Sequence, residues 1–457
     1  MILQACGATV EPLMIQVGGA TTEPLWIGLI GIVIVLILIA IGVHIALAFA
    51  VLGFVGISLI VGLDAAILFL TTTAFYKVTH VAFAVVPLFI LVGLIAATGG
   101  ISRDTYEALS LWLNKVRGGL GIATVAGCTA FGTVCGSSLV TASVFARASC
   151  PDMRRMGYDK RLAYGLVSAA GNIGMLIPPS IVIVVYGILT EESIGKLLIA
   201  GLTPGLLLFF TFSLGLILVG YWKPYLVGYP MKREVTWRQR LVGLKLLWPI
   251  ATCAAIIIGG VFGGVLSPTE AGAAAVAVLF FFVLISQRSL KALAPGFAEA
   301  AAITAMIFFI FIGAGMFARF LMLTGIAPLL LNVVVDMNLS HLGMVIVMCV
   351  VYIIMGCLLD AISMIGVTVP IIYPIIRAMG IDPIWYGICV ILAIHIGTIT
   401  PPVGLNVYAV KGVAEADVSL EDIFFGVWPW FLWMLVSLAF VIAFPALSTT
   451  LPNIMLN

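Results

Sequence analysis

Long apolar runs separated by short polar clusters set the pattern of this chain. Leu25 to Gly62, Leu246 to Val265 and Phe424 to Leu447 are each apolar for at least the about 20 residues a helix needs to cross a bilayer. The strands of a membrane barrel are shorter and alternate inward and outward residues, so this pattern predicts helices. Lys and Arg gather at Arg103 with Lys115 and Arg117, at Arg147 to Arg161, at Lys223 to Lys245, at Arg288 with Lys291, and at Lys411. Such clusters mark the cytoplasmic side. Basic residues flank Gly118 to Ala146 on both sides, so this segment has to enter and leave on one face. Its arms, about 14 residues each, reach roughly 20 Å and stop short of a hydrocarbon core about 30 Å thick. The segment 118–148 is therefore expected as a re-entrant hairpin with its tip at Gly136-Ser137-Ser138. Beyond it, Leu162 to Leu189 is expected to cross outward, Ile199 to Tyr221 to return, and Lys223 to Lys245 to lie on the inner surface. Leu246 to Val265, Ala271 to Ile285 and Ala300 to Leu323 then alternate direction, leaving both termini expected on the outer side.

The same pattern occurs twice. Pro151-Asp-Met-Arg154-Arg-Met156-Gly157-Tyr-Asp159 matches Pro374-Ile-Ile-Arg377-Ala-Met379-Gly380-Ile-Asp382 at an offset of 223. At that offset Gly174 falls on Gly397, Pro178-Pro179 on Pro401-Pro402, Glu192 on Glu415, and Ser137 on Asp360. The counterpart of the first hairpin, 341–378, follows an outward crossing and has almost no basic residues around it, so the second copy is expected to be inverted. The resulting expectation is an all-α polytopic membrane protein built from inverted repeats, with two re-entrant helical hairpins and broken helices, the recurring plan of secondary transporters. In linear terms, residues 1–82 are N-terminal scaffold helices, 83–222 the first repeat, 223–299 an amphiphilic arm with further scaffold helices, and 300–457 the second repeat.

Composition agrees with this. The chain is 63% hydrophobic and 9% charged, against about 25% charged in ordinary soluble domains. The first 24 residues carry no Lys or Arg, so no signal peptide is expected and the chain inserts by its own helices. The eight cysteines show no CxxC spacing and read as small buried hydrophobes.

Each repeat places a Pro-Pro pair inside an apolar span, and proline has no N–H to offer the carbonyl four residues earlier. The carbonyls of Gly174 and Met175, and of Gly397 and Thr398, are thereby released, with the hydroxyls of Ser180 and Thr400 beside them. A desolvated Na⁺ suits such oxygens; neighbouring hydroxyls closing a simple kink would also satisfy them. Asp360, with Ser363 close by, lies in an otherwise apolar stretch, where a carboxylate needs a cation, a proton or hydrogen bonds to helix ends. Arg319 is the one charge between Ala302 and Leu323, suited either to a substrate carboxylate or to anchoring at the interface. Asn172 and Asn406 flank the breaks and could serve an ion or the hairpin backbone. His80, His341 and His395 lack spaced partners for a metal site. Trp428, Trp430 and Trp433 suit an interfacial belt or lipid-facing packing.

From Val86-Pro-Leu-Phe-Ile-Leu to Trp430 the chain resembles the large membrane subunit of tripartite ATP-independent periplasmic (TRAP) transporters. The stretches that carry the resemblance are Cys135-Gly-Ser-Ser138, Met156-Gly-Tyr-Asp159, Ile177-Pro-Pro-Ser180, Ser193 to Gly201, Phe317-Ala-Arg319 and Thr400-Pro-Pro-Val-Gly-Leu-Asn406. The resemblance implies an elevator mechanism driven by a Na⁺ gradient, a small four-helix membrane subunit supplied as a separate chain, and a periplasmic binding protein that delivers a small organic anion. It implies Na⁺ sites at Gly136, Ser137, Ser138, Asp360 and Thr398 to Pro402, including Thr400 and Pro401, joined by Asn172, Gly174, Ser363 and Gly397. Arg319 looks like the family's substrate-side arginine, and Ser138, Pro179 and Asn406 complete the expected substrate contacts. Cys135 stands where a small hydroxyl residue is common, and Ala361 where proline often follows the aspartate.

A stand-alone anion or citrate-type carrier of the same architecture remains an alternative, separable by its independence of a binding protein. An enzyme is not expected, because HExxH, GxSG and paired intramembrane aspartates are missing from the sequence. No catalytic residue, organic cofactor, nucleic-acid partner or metal beyond Na⁺ is expected, and the site of action is a bacterial or archaeal inner membrane.

Overall fold

The computed structural model describes residues 24–113, 115–228, 235–287, 293–326 and 339–454, together with 15–17, 20–22 and 329. Apart from a short ribbon of Ile15–Val17 with Ala20–Thr22 and one bridge between Tyr158 and Val227, the regular structure among these residues is helical. The cause is the solvent: lipid offers no partner to backbone N–H and C=O groups, so an apolar run satisfies them internally as a helix. By length and composition, Ile194–Trp222, Trp237–Phe262, Pro268–Ser286, Ala294–Leu323, Ala361–Ala378 and Leu420–Ala443 can each cross a membrane. Val85–Thr98 and Ile101–Leu113 form one more candidate span, bent by 66°. The bend falls at Gly99-Gly100, where Gly100 takes φ 77. The chain is thus an all-α polytopic membrane protein.

Three details depart from the sequence pattern. The second arm of the first hairpin, Ser138–Arg155, runs past Arg147 and ends only where Gly157 turns at φ 86. The segment expected on the inner surface is helical from Trp237 and continues into the apolar run as far as Phe262. A capping box between Thr236 and Gln239 starts that helix, and two arginines in its first turns do not suffice to break it. Trp430 is fully buried against Phe212, with ring centroids 5.2 Å apart, whereas Trp428 is exposed, because helical periodicity turns alternate tryptophans to opposite faces.

The chain forms two compact units. One comprises the described residues of Met1–Thr79, Phe308–Leu339 and Gly366–Ile375. Its helices Pro24–Ala40, Ile45–Val61 and Leu63–Thr79 surround a core in which Phe49 stacks on Phe317 at 5.2 Å. The other unit comprises the described residues of His80–Ile307, Ser340–Ile365 and Ile376–Asn457.

In the second unit the repeat becomes local geometry. Ser137 and Asp360 are both helix N-caps, of Ser138–Arg155 and Ala361–Ala378. Asp159 and Asp382 cap Lys160–Ala170 and Pro383–Gly397. Gly157 and Gly380 both take positive φ, and Pro178-Pro179 and Pro401-Pro402 are both cis. The copies also exchange ion pairs: Arg154 bonds Glu415 and Asp417, while Arg377 approaches Glu192 at 3.7 Å. The hydrogen bond from Arg154 holds the Asp417 carboxyl below the usual carboxylate range. This pair is therefore in place at neutral pH and fades only as pH falls through that depressed value.

Each hairpin arm meets its broken helix through two glycines. A Cβ added at Gly132 would stand 2.6 Å from the Gly174 Cα, and one at Gly397 would stand 2.6 Å from the Gly356 Cα. Backbone against backbone has no side chain that can yield. Gly132→Ala and Gly397→Ala should therefore each destabilise the fold by about 1–3 kcal/mol, as overpacking does. The check is the thermal unfolding midpoint in detergent, with Gly259→Ala, where an added Cβ meets nothing within 4 Å and φ is helical, as the open-space control.

Candidate functional site

The first hairpin tip and both helix breaks of the second unit share one hydrogen-bond network. Ser138 Oγ donates to Asn406 Oδ1 at 3.1 Å. The Asn406 amide donates to Asn172 Oδ1 at 2.9 Å and to the Ser168 carbonyl at 3.3 Å. The Asn172 amide donates in turn to the His395 carbonyl at 3.1 Å, a residue 223 positions away, which is the repeat offset itself. Thr398 Oγ1 donates to that carbonyl at 2.8 Å and approaches Asn172 Oδ1 at 3.4 Å. Asn172 and Asn406 are 0% exposed. A buried amide without partners costs several kcal/mol, so these bonds hold both breaks to the first tip.

The two breaks differ in what they leave unpaired. In the second copy the Gly397 carbonyl accepts from the Thr400 N–H at 2.9 Å and the Thr398 carbonyl from the Asn406 N–H at 3.1 Å. The Thr400 hydroxyl donates to the Ile396 carbonyl at 2.7 Å. In the first copy the Gly174 and Met175 carbonyls have no hydrogen-bond partner among the described residues, although both residues are buried. The Ser180 hydroxyl is occupied as the N-cap of Ile181–Thr190. Backbone N–H groups close the released carbonyls of the second kink and leave those of the first open.

A cavity of about 380 Å³ lies against these groups. Gly136, Ser137 and Ser138 line it from the first tip, Asp360, Ala361 and Ile362 from the second, and Thr398, Leu405 and Asn406 from beyond the second break. The N-terminal turns of Ser138–Arg155, Ile181–Thr190 and Ala361–Ala378 all face it, and helix N-termini carry partial positive charge and free N–H groups. The Asp360 carboxylate accepts from the Ile362 and Ser363 N–H groups at 3.1 and 3.0 Å and from the Ser363 hydroxyl. It caps its own helix and lines the cavity.

The other sequence candidates take different places. Asn172 lies beneath the lining, in the network, and Ser363 holds Asp360. Gly174 and Gly397 sit at the glycine contacts, and Pro401 follows the Thr398–Thr400 turn. Pro179 presents its carbonyl to the first tip: a Cβ on Gly136 would stand 3.3 Å from it. Arg319 belongs to the other unit, where its guanidinium lies 4.6 Å from the Phe69 ring centroid. Glu299 is a lining residue that the sequence reading missed. Its signal was there: Glu299, Ile303, Met306 and Ile307 follow the spacing of one helix face. Among the described residues no group of three or more His, Cys, Asp or Glu could hold a metal ion, so the oxygens available to a cation here are mainly those of backbone and hydroxyls.

The family model described as the DctM component of tripartite ATP-independent periplasmic transporters matches residues 30–447. The chain belongs to this family. The C4-dicarboxylate TRAP large permease DctM of Pseudomonas aeruginosa is 34% identical over 377 residues, covering 82% of this chain and 87% of that protein. The ectoine TRAP large permease TeaC of Halomonas elongata is 31% identical over 375 residues, covering 81% and 86%. In fold the chain is similar to the solved YdaH transporter of Alcanivorax borkumensis, with a TM-score of 0.61, 14% identity and coverage of 92% of this chain and 98% of that one. This TRAP large subunit is accordingly a multi-pass inner-membrane permease, and its relatives are permeases.

The capping role of Asp360 separates two variants. Asp360→Asn keeps a good N-cap and should unfold within a few tenths of a kcal/mol of wild type, whereas Asp360→Ala should cost about 1 kcal/mol. Thermal midpoints in detergent check this, and equal losses in both variants would remove the cap from the account.

Proposed function

We propose that this TRAP permease takes up a small organic anion, a carboxylate or sugar acid, in symport with Na⁺. In this reading it works with a small four-helix membrane subunit and with a periplasmic binding protein that delivers the substrate. The observation that carries the reading is the cavity lined by both hairpin tips, onto which several helix N-termini converge. A carboxylate is the natural occupant of such a place, since N-terminal N–H groups and the helix dipole both favour negative charge. Ser138 can add its hydroxyl as a side-chain donor once its bond to Asn406 Oδ1 opens.

The residues present fit a small hard cation. Gly174 and Met175 offer unpaired carbonyls, Thr398 a hydroxyl, and Asn172 an amide oxygen, all within the stretch where the network crosses between the copies. These would hold Na⁺, with the tip residues Gly136 to Ser138 and Asp360 as further oxygen donors; the ion gradient would supply the driving force. The protein's own part is to keep these oxygens oriented by buried hydrogen bonds and to exclude water from them. An elevator cycle follows from the same reading, in which the unit that holds both tips carries the cargo. Arg319, in the other unit, stays the proposed substrate-side arginine.

The test is uptake by proteoliposomes that hold this chain and its small subunit. Uptake should require both the cognate binding protein and an inward Na⁺ gradient, and Asp360→Asn should abolish it while sparing insertion. Uptake without the binding protein would instead support a stand-alone carrier, and undiminished uptake with K⁺ in place of Na⁺ would contradict the coupling.

A further inference from the structure

The cavity lining carries one charge that nothing answers. Asp360 is engaged by its own helix, but Glu299 has neither an ion pair nor a hydrogen bond among the described residues. It is exposed, and it reaches the cavity on the same helix face as Ile303, Met306 and Ile307. Among the described residues no Lys, Arg or His lines the cavity. The cavity therefore offers an anion its helix N-termini, and beside them a carboxylate that repels a second anionic group. A molecule with negative charge at both ends leaves Glu299 facing a like charge, an arrangement that discriminates against it. One with a carboxylate at one end and a cationic nitrogen at the other satisfies both parts of the lining. The volume, about 380 Å³, lies within the range of about 300–1,000 Å³ usual for small-molecule sites.

We infer that Glu299 is a specificity-determining residue that pairs with a cationic nitrogen, an ammonium or amidinium, of a substrate that also carries a carboxylate. The inference rests on the transport reading above and narrows its substrate class. A carboxylate bonded to a cationic N–H donor makes a short charge-assisted hydrogen bond, about twice as strong as a neutral one. The amide in Glu299→Gln keeps the shape and loses that charge.

Equilibrium binding to the full chain in nanodiscs, at fixed Na⁺ concentration, tests this with labelled ectoine and aspartate as nitrogen-bearing probes and succinate as the probe without nitrogen. Wild type should prefer at least one nitrogen-bearing probe to succinate. Glu299→Gln should weaken that probe at least ten-fold while leaving succinate unchanged or tighter, and Glu299→Asp should retain the preference. A change in this ratio is something that a merely structural role would not produce. A wild-type preference for succinate, or an unchanged ratio in Glu299→Gln, overturns the inference and leaves organic-anion transport standing. Failure of wild type to bind either nitrogen-bearing probe in Na⁺ likewise overturns this inference, whereas the transport reading stands or falls by the uptake assay above.

Discussion

The hydrogen bond from Asn406 to Asn172 is the interaction on which the rest of the second unit depends. Inside a bilayer an interrupted helix is tolerated only where the protein itself takes up the freed polar groups. Here two interrupted helices, one from each copy of the repeat, each offer a carbonyl, that of Ser168 or of His395, to an asparagine of the other copy. Asn172 reaches the His395 carbonyl of the second break, Asn406 reaches the Ser168 carbonyl before the first, and the two side chains bond each other. Ser138 ties a hairpin tip to the same pair. Neither copy alone supplies all the partners, so the duplication is a structural requirement as well as a pattern in the sequence.

Much of this was legible beforehand, for identifiable reasons. The offset of 223 placed Ser137 on Asp360 and Pro178-Pro179 on Pro401-Pro402, and both pairs proved to be matched caps and matched breaks. Capping and proline geometry are local, so a sequence match transmits them. The partners of Asn172 and Asn406 were left open between an ion and a backbone because the choice depends on residues more than two hundred positions away. The difference between the breaks was equally hidden: equivalent Pro-Pro pairs release equivalent carbonyls, but only the second copy turns back so that the Thr400 and Asn406 N–H groups can close them. The chain order also could not place Arg319 and Glu299. Both lie on Ala294–Leu323, and that single helix contributes Glu299 to one compact unit and Arg319 to the other.

The electrostatic plan follows from the same economy of charge. With 9% charged residues, the ionic groups that the second unit does pair serve two ends. Arg154 with Glu415 and Asp417, and Arg377 with Glu192, join the copies at matched positions. Asp159, Asp360 and Asp382 hold helix ends. The cavity lining is mostly apolar, its few polar groups coming from the hairpin tips, Thr398 and Asn406, with Glu299 as the charge left without a partner among the described residues. A site of that kind can bind an anion without an arginine, through helix ends fixed before the substrate arrives.

The central claim is that the polar junction of the two copies is where the coupling ion sits, and the thermal stability of the purified full chain during a Na⁺ titration tests it most directly. A ligand that binds only the folded state raises the unfolding midpoint saturably. The account predicts such a rise with Na⁺ and none with K⁺ at equal ionic strength, and a half-saturating Na⁺ concentration at least ten-fold higher in Thr398→Val. Equal stabilisation by Na⁺ and K⁺, or a Thr398→Val titration that overlays wild type, would contradict it.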